Sequence, residues 1–150
     1  MKEKILIGKN EFTLDTDGDY VGVMDIWRKD TKVFLDIKED QDGVIDTVVE
    51  KIRWLNDNRD KVIDVFMEDN YQYVDVINDM IEKGTFRAYA PISENDFREA
   101  LVIDNVCIFI RGRNSEFPLD LDAQPDYLLG HLGNMEIDSQ YEVEFGGLNG

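Results

Sequence analysis

The chain is poor in the residues that enzyme chemistry uses most. Its 150 residues include one cysteine, one histidine and three prolines. Cys107 on its own forms no internal disulfide, and one histidine with one cysteine assembles no standard zinc set. A Gly-rich phosphate loop and a Gly-x-Ser-x-Gly elbow are both missing. No apolar run approaches the roughly 18 residues of a membrane span. The opening MKEKILIGKN has too short an apolar run for a signal peptide. These absences point to a cytoplasmic protein with no cofactor and no metal, and argue against an enzyme.

Basic residues are scarce as well. Lys and Arg number 16 against 33 Asp and Glu, for a net charge of −17 and an isoelectric point near 4.2. That lies outside the magnitude of about 2 to 8 that suffices to keep a small domain soluble. Two tracts hold no base at all. Val62 to Glu82 carries Asp64, Glu68, Asp69, Asp75, Asp79 and Glu82, and Asn114 to Gly150 carries Glu116, Asp120, Asp122, Asp126, Glu136, Asp138, Glu142 and Glu144. Phosphate contacts require clustered cations, so direct binding to nucleic acid is disfavoured. A basic protein partner is favoured, because complementary fields speed encounter and reject wrong partners. The plainer alternative is that the acidity only solubilises the chain.

Hydrophobic residues at 43 % and aromatics at 11 % are enough to fold one domain over residues 1–150 despite the charge. DTDGDYVG, from residue 15, invites comparison with a calcium loop. Counted from Asp15, Asp17 and Asp19 fit, but position 6 is Tyr20 and position 12 is Ile26, where Gly and Glu are needed. KEDQDGVID fails too, with Lys38 first and Val49 last. EFTLD and YVGVMDI alternate apolar and polar residues around an Asp-Gly turn, the strongest short hairpin signal. RKDT is expected to turn the chain into a third strand, KVFLDI. Asp42 is a candidate N-cap for the helix that follows.

Val44, Ile45, Val48, Val49, Ile52 and Leu55 recur at helical spacing. Val62, Ile63, Phe66, Tyr73, Val74, Ile77, Met80 and Ile81 continue the pattern, with a break at Asn70 and a stop at Gly84. Two antiparallel helices are expected here, covering one face of a sheet. Tyr71 and Tyr73 sit among the first tract's acids as candidate interface anchors, Trp54 less so. Ser93 and Asp96 form a short capping box. VIDNVCIFIRG reads as a strand, and Pro118 demotes EFPLDLD to an edge or irregular segment. YLLGHLGNMEID and YEVEFGGL read as a closing strand pair. Cys107, within an apolar strand, is expected to be inert, and His131 structural rather than catalytic.

The order IGKNEFTLDTDGDYVGVMDIW, IRWLNDN, ISENDFREAL and DYLLGHLGNMEID resembles a family of small, stand-alone bacterial proteins of uncharacterised function. Their pattern joins an N-terminal G-x-F-x-L-D hairpin to a late Gly-His strand. This chain departs from it at Leu128 and Leu129, where the family often has aromatics, and the resemblance implies no catalytic residues. In size, charge and type of fold the chain is also similar to immunity proteins of bacterial toxin systems. The expectation is an α+β domain, a largely antiparallel sheet with two central helices packed on one face. It would bind and neutralise a cognate toxin, possibly a nuclease. The partner-binding candidates are Asp64, Glu68, Asp69, Tyr71, Tyr73, Asp75, Asp79, Asp120, Asp122 and Asp126. The alternatives are a phage or mobile-element DNA mimic, and a small enzyme using His131.

Overall fold

Alternating apolar and polar side chains drive the first quarter of the chain into a meander. In the computed structural model, which describes residues 3–38 and 43–150, it comprises β1 (Lys4–Ile7), β2 (Asn10–Leu14), β3 (Tyr20–Ile26) and β4 (Lys29–Ile37). Each strand pairs antiparallel with the next. The β2–β3 hairpin is the one expected, with Leu14 opposite Tyr20. Asp15 braces its turn, its Oδ1 accepting from the Asp17 and Asp19 amides, each at 2.9 Å. β1 was not anticipated. The next turn lies earlier than RKDT, at Trp27 and Arg28, with φ of 54° and 64°. Both residues are left-handed, as a two-residue hairpin demands.

The helical segment follows. It holds α1 (Val44–Asp57), α2 (Arg59–Asn70) and α3 (Tyr73–Glu82), then α4 (Glu94–Ala100). Three helices therefore stand where two were expected. Asn58 leaves helical geometry at φ −126° and donates from Nδ2 to the Trp54 carbonyl, which closes α1. Asn70 donates likewise to the Phe66 carbonyl and ends α2 at the expected break. The capping box on α4 forms, Ser93 Oγ accepting from the Asp96 amide and Asp96 from the Ser93 amide. The Asp42 cap lies outside the described residues.

The last third is a second meander: β5 (Leu101–Ile110), β6 (Leu119–Ala123), β7 (Leu132–Ile137) and β8 (Val143–Asn149). The eight strands lie in chain order in one sheet, antiparallel throughout except where β4 meets β5. The fold is α+β, with a mostly antiparallel sheet. β7 and β8 form the expected closing pair. β6 corrects another expectation, because it lies inside the sheet between β5 and β7. Pro118 precedes the strand and so costs the ladder no donor, while its carbonyl accepts from the Cys107 amide.

One of the two alternating sets of strand residues makes the core. Val33, Leu35, Val106, Ile108, Leu119, Leu121 and Met135 are fully buried. Helix side chains reach this set. The Phe66 ring lies where a β-carbon on Gly133 would stand, and meets Phe145 edge-on at 5.6 Å. α1 packs on β1, β3 and β5, and α2 on β7 and β8. Inside α1, Ile45 is exposed and Lys51 is buried, a swap that hydrophobic spacing does not foresee. Among the described residues no helix is long and apolar enough to cross a membrane.

Candidate functional site

The first acidic tract does not form one continuous patch. Asp64 is paired with Arg98 of α4, and Asp79 with Lys83 at 2.9 Å. Glu68, Asp69 and Asp75 are exposed and make no hydrogen bond or ion pair within the described residues. Tyr71 is 65 % exposed at the end of α2. Tyr73 is half-buried with its ring 6.1 Å from Phe97, and burial pushes its hydroxyl pKa up. Of the two tyrosines, Tyr71 is the one free to meet a partner. Trp54 is half-buried against the core, stacked 5.0 Å from Tyr141.

An open groove runs between α3 and the segment after it. Asp75, Asp79 and Glu82 line one side, and Ala88, Tyr89 and Pro91 the other. Tyr89 is fully exposed. Sequence reasoning missed it, because a tyrosine followed by Ala-Pro carries no helical or strand spacing. A second groove is lined by Asp122, Pro125, Asp126, Gly130 and Leu132. The segments carrying the two grooves meet in space, since the Phe86 ring lies 5.6 Å from Tyr127 and Tyr127 stacks on Phe97 at 5.8 Å. The two base-free tracts, far apart in sequence, touch elsewhere, where the ring of Phe66 in the first meets that of Phe145 in the second at 5.6 Å.

Several candidate carboxylates have internal duties. Asp126 accepts from the Gly130 amide at 3.0 Å, and Asp122 from the Ala123 amide at 2.8 Å. Asp120 accepts from Asn105 at 3.2 Å and from Asn134 at 3.5 Å. These bonds fix the carboxylates in place, and an acceptor oxygen retains capacity for a second donor.

Three further titratable groups or clusters stand out: His131, Cys107 and the set of Lys51, Tyr141 and Glu50. His131 is half-buried in the turn before β7, with its amide bonded to the Leu128 carbonyl and no ring hydrogen bond within the described residues. Burial, with Asp19 and Asp36 nearby, pushes the Cys107 thiol up to about 11, so little of it is thiolate at neutral pH. Lys51 is only 5 % exposed. Its ammonium lies 4.4 Å from the Tyr141 ring centre and 5.4 Å from that of Phe117, and desolvation pulls its pKa down. The Tyr141 hydroxyl donates to Glu50 at 2.8 Å; burial and that bond push it up to about 12. Lys51 is thus covered by the two rings, while Glu50 at the other end of the cluster is exposed. Among the described residues no three His, Cys, Asp or Glu side chains converge to hold a metal ion.

Comparison with protein-family models, with curated proteins and with solved structures finds no match for this chain.

Proposed function

We propose that this protein is a cytoplasmic binding protein that neutralises a basic toxin domain, as immunity proteins do. One observation carries the reading: free carboxylates sit beside exposed tyrosines on the helical side. Glu68 and Asp69 adjoin Tyr71, and Asp75 and Glu82 share a groove with Tyr89. Carboxylates with no internal partner cost the fold self-repulsion and supply it with nothing. A cationic protein surface would convert that repulsion into attraction, while tyrosines provide contact area with little loss of conformational freedom. Neutralisation would then be occlusion, the acids meeting the lysines and arginines with which the toxin holds its own substrate.

The test is co-expression with the protein encoded immediately upstream, scored by cell growth and by binding of the purified pair. Changing Glu68, Asp69, Asp75 and Asp79 to Gln or Asn should leave the fold intact, slow association and flatten its salt dependence. An upstream product that is harmless alone counts against the toxin reading, and one that binds the neutralised variant at an unchanged rate counts against the helical side as the contact.

A further inference from the structure

The strand residues that alternate with the core set form the other face of the sheet, and this face is only half-buried or exposed. Register runs one row across five strands: Val23 opposite Lys32, then Asn105, Asp120 and Asn134. A neighbouring row sets Val21, Phe34 and Cys107 side by side. Phe34, Cys107 and Phe109 make an apolar centre, and Val23 beside it is 49 % exposed.

Two relationships on this face work against the isolated fold. Asp25 stands directly opposite Asp30 on β3 and β4, and Glu136 directly opposite Glu144 on β7 and β8. Like charges in these positions are destabilising. None of the four carboxylates has a hydrogen bond or ion pair within the described residues. The rings between them already sit beside cations of this chain, Lys32 at 5.7 Å from the centre of Phe34 and Arg111 at 5.8 Å from that of Phe109.

We propose that this face docks a protein surface with an apolar centre and lysines or arginines around it. The proposal deepens the binding function above, rests on it, and adds a contact on the sheet face to the one on the helical side. Charge selects the occupant. A second copy of a chain with net charge −17 would set acid pair against acid pair, whereas a cationic surface relieves both pairs at once.

Cys107 is the chain's single thiol and lies in the apolar centre, so its modification reports whether the face is covered. The probe is a peptide of alternating lysine and leucine, with an alternating glutamate and leucine peptide as control. The measurement is the rate at which a disulfide reagent labels Cys107 in the whole protein. The lysine peptide should slow labelling saturably, and added salt should weaken the protection. Replacing Asp25 and Asp30 by Asn, or Glu136 and Glu144 by Gln, should weaken binding by up to about fivefold for each pair. Changing the groove residues Asp75, Asp79 and Glu82 should leave protection intact.

The assignment is overturned if the lysine peptide binds without shielding Cys107, or if only the groove changes abolish binding. It is also overturned if labelling slows with protein concentration alone, which would mean that the face pairs with itself. A toxin neutralised in cells while Cys107 in the complex is labelled as fast as in the free protein would remove the sheet assignment and leave the binding function standing. Protection by the peptide with no toxin partner would do the reverse.

Discussion

The Lys51 ammonium donates to the Tyr141 hydroxyl at 3.2 Å while that hydroxyl donates to Glu50. Lysine, tyrosine and glutamate form one chain of hydrogen bonds, with its cationic end buried against two rings. The two titratable ends respond to alkali in opposite senses. The folded pKa of Lys51 is lowered, so the unfolded chain binds the extra proton. That contribution to stability grows as pH rises from the folded value towards 10.5. The folded pKa of Tyr141 is raised, so its contribution is fully present below 10 and is lost as pH rises towards about 12.

Lys51→Met should therefore steepen the alkaline loss of stability, and Tyr141→Phe should flatten it. Urea unfolding across the alkaline range checks both. Identical pH slopes for wild type and Tyr141→Phe would show that the hydroxyl does not titrate in this way.

Gly133 is fixed by what lies over it. A β-carbon there would approach Cε1 of Phe66 to 2.5 Å. Gly133→Ala should destabilise by about 1 to 3 kcal/mol, the usual cost of overpacking a well-filled core. Phe66→Leu in the same chain should recover part of that loss, although Phe66→Leu alone is destabilising. Denaturant midpoints of the two single variants and the double variant measure the coupling.

At the β3–β4 turn, Arg28 is exposed and left-handed at φ 64°. A side chain there costs roughly 1 kcal/mol that glycine does not incur. Arg28→Gly should raise thermal stability. Trp27→Gly relieves the same kind of strain but should lower stability. Its indole donates to the Leu55 carbonyl at 2.7 Å, and the Arg59 guanidinium lies 5.3 Å from its ring. A gain in melting temperature for Trp27→Gly would show that these contacts are worth less than the strain.

Replacing Asp30 by Lys turns a cross-strand repulsion into an attraction. It should stabilise the protein by about 0.2 to 1 kcal/mol at low ionic strength, and the gain should shrink as salt is added. An equal gain in high salt would mean that the effect is not electrostatic.

How much could be read in advance depended on how local each cause was. The Asp-Gly hairpin, the α4 capping box and the break at Asn70 each rest on residues a few positions apart, and all three are present. β1 has too short an apolar run to signal a strand by itself, and it exists because β2 supplies its ladder. Lys51 reads as polar in any sequence pattern. Its burial depends on Tyr141, 90 residues away. The acids were legible as charge, but not as geometry. Which of them are spent on turns, like Asp126, and which oppose one another, like Asp25 and Asp30, follows from register and loop conformation that composition does not contain.

The strand order carries a kinetic consequence. Six of the seven ladders join strands that are consecutive within one meander, so each can form as a hairpin or short loop closes. Only the ladder between Lys32–Ile37 and Asn105–Ile110 spans the whole helical segment. Its closure carries the largest loop entropy in the molecule, and that entropy is lost before the contacts that offset it are made. The two meanders are therefore the early, locally driven parts of folding. The seam between β4 and β5 is the step at which two half-sheets become one core, and substitutions along it, such as Val106→Ala, will report on the rate of folding more than those at either edge.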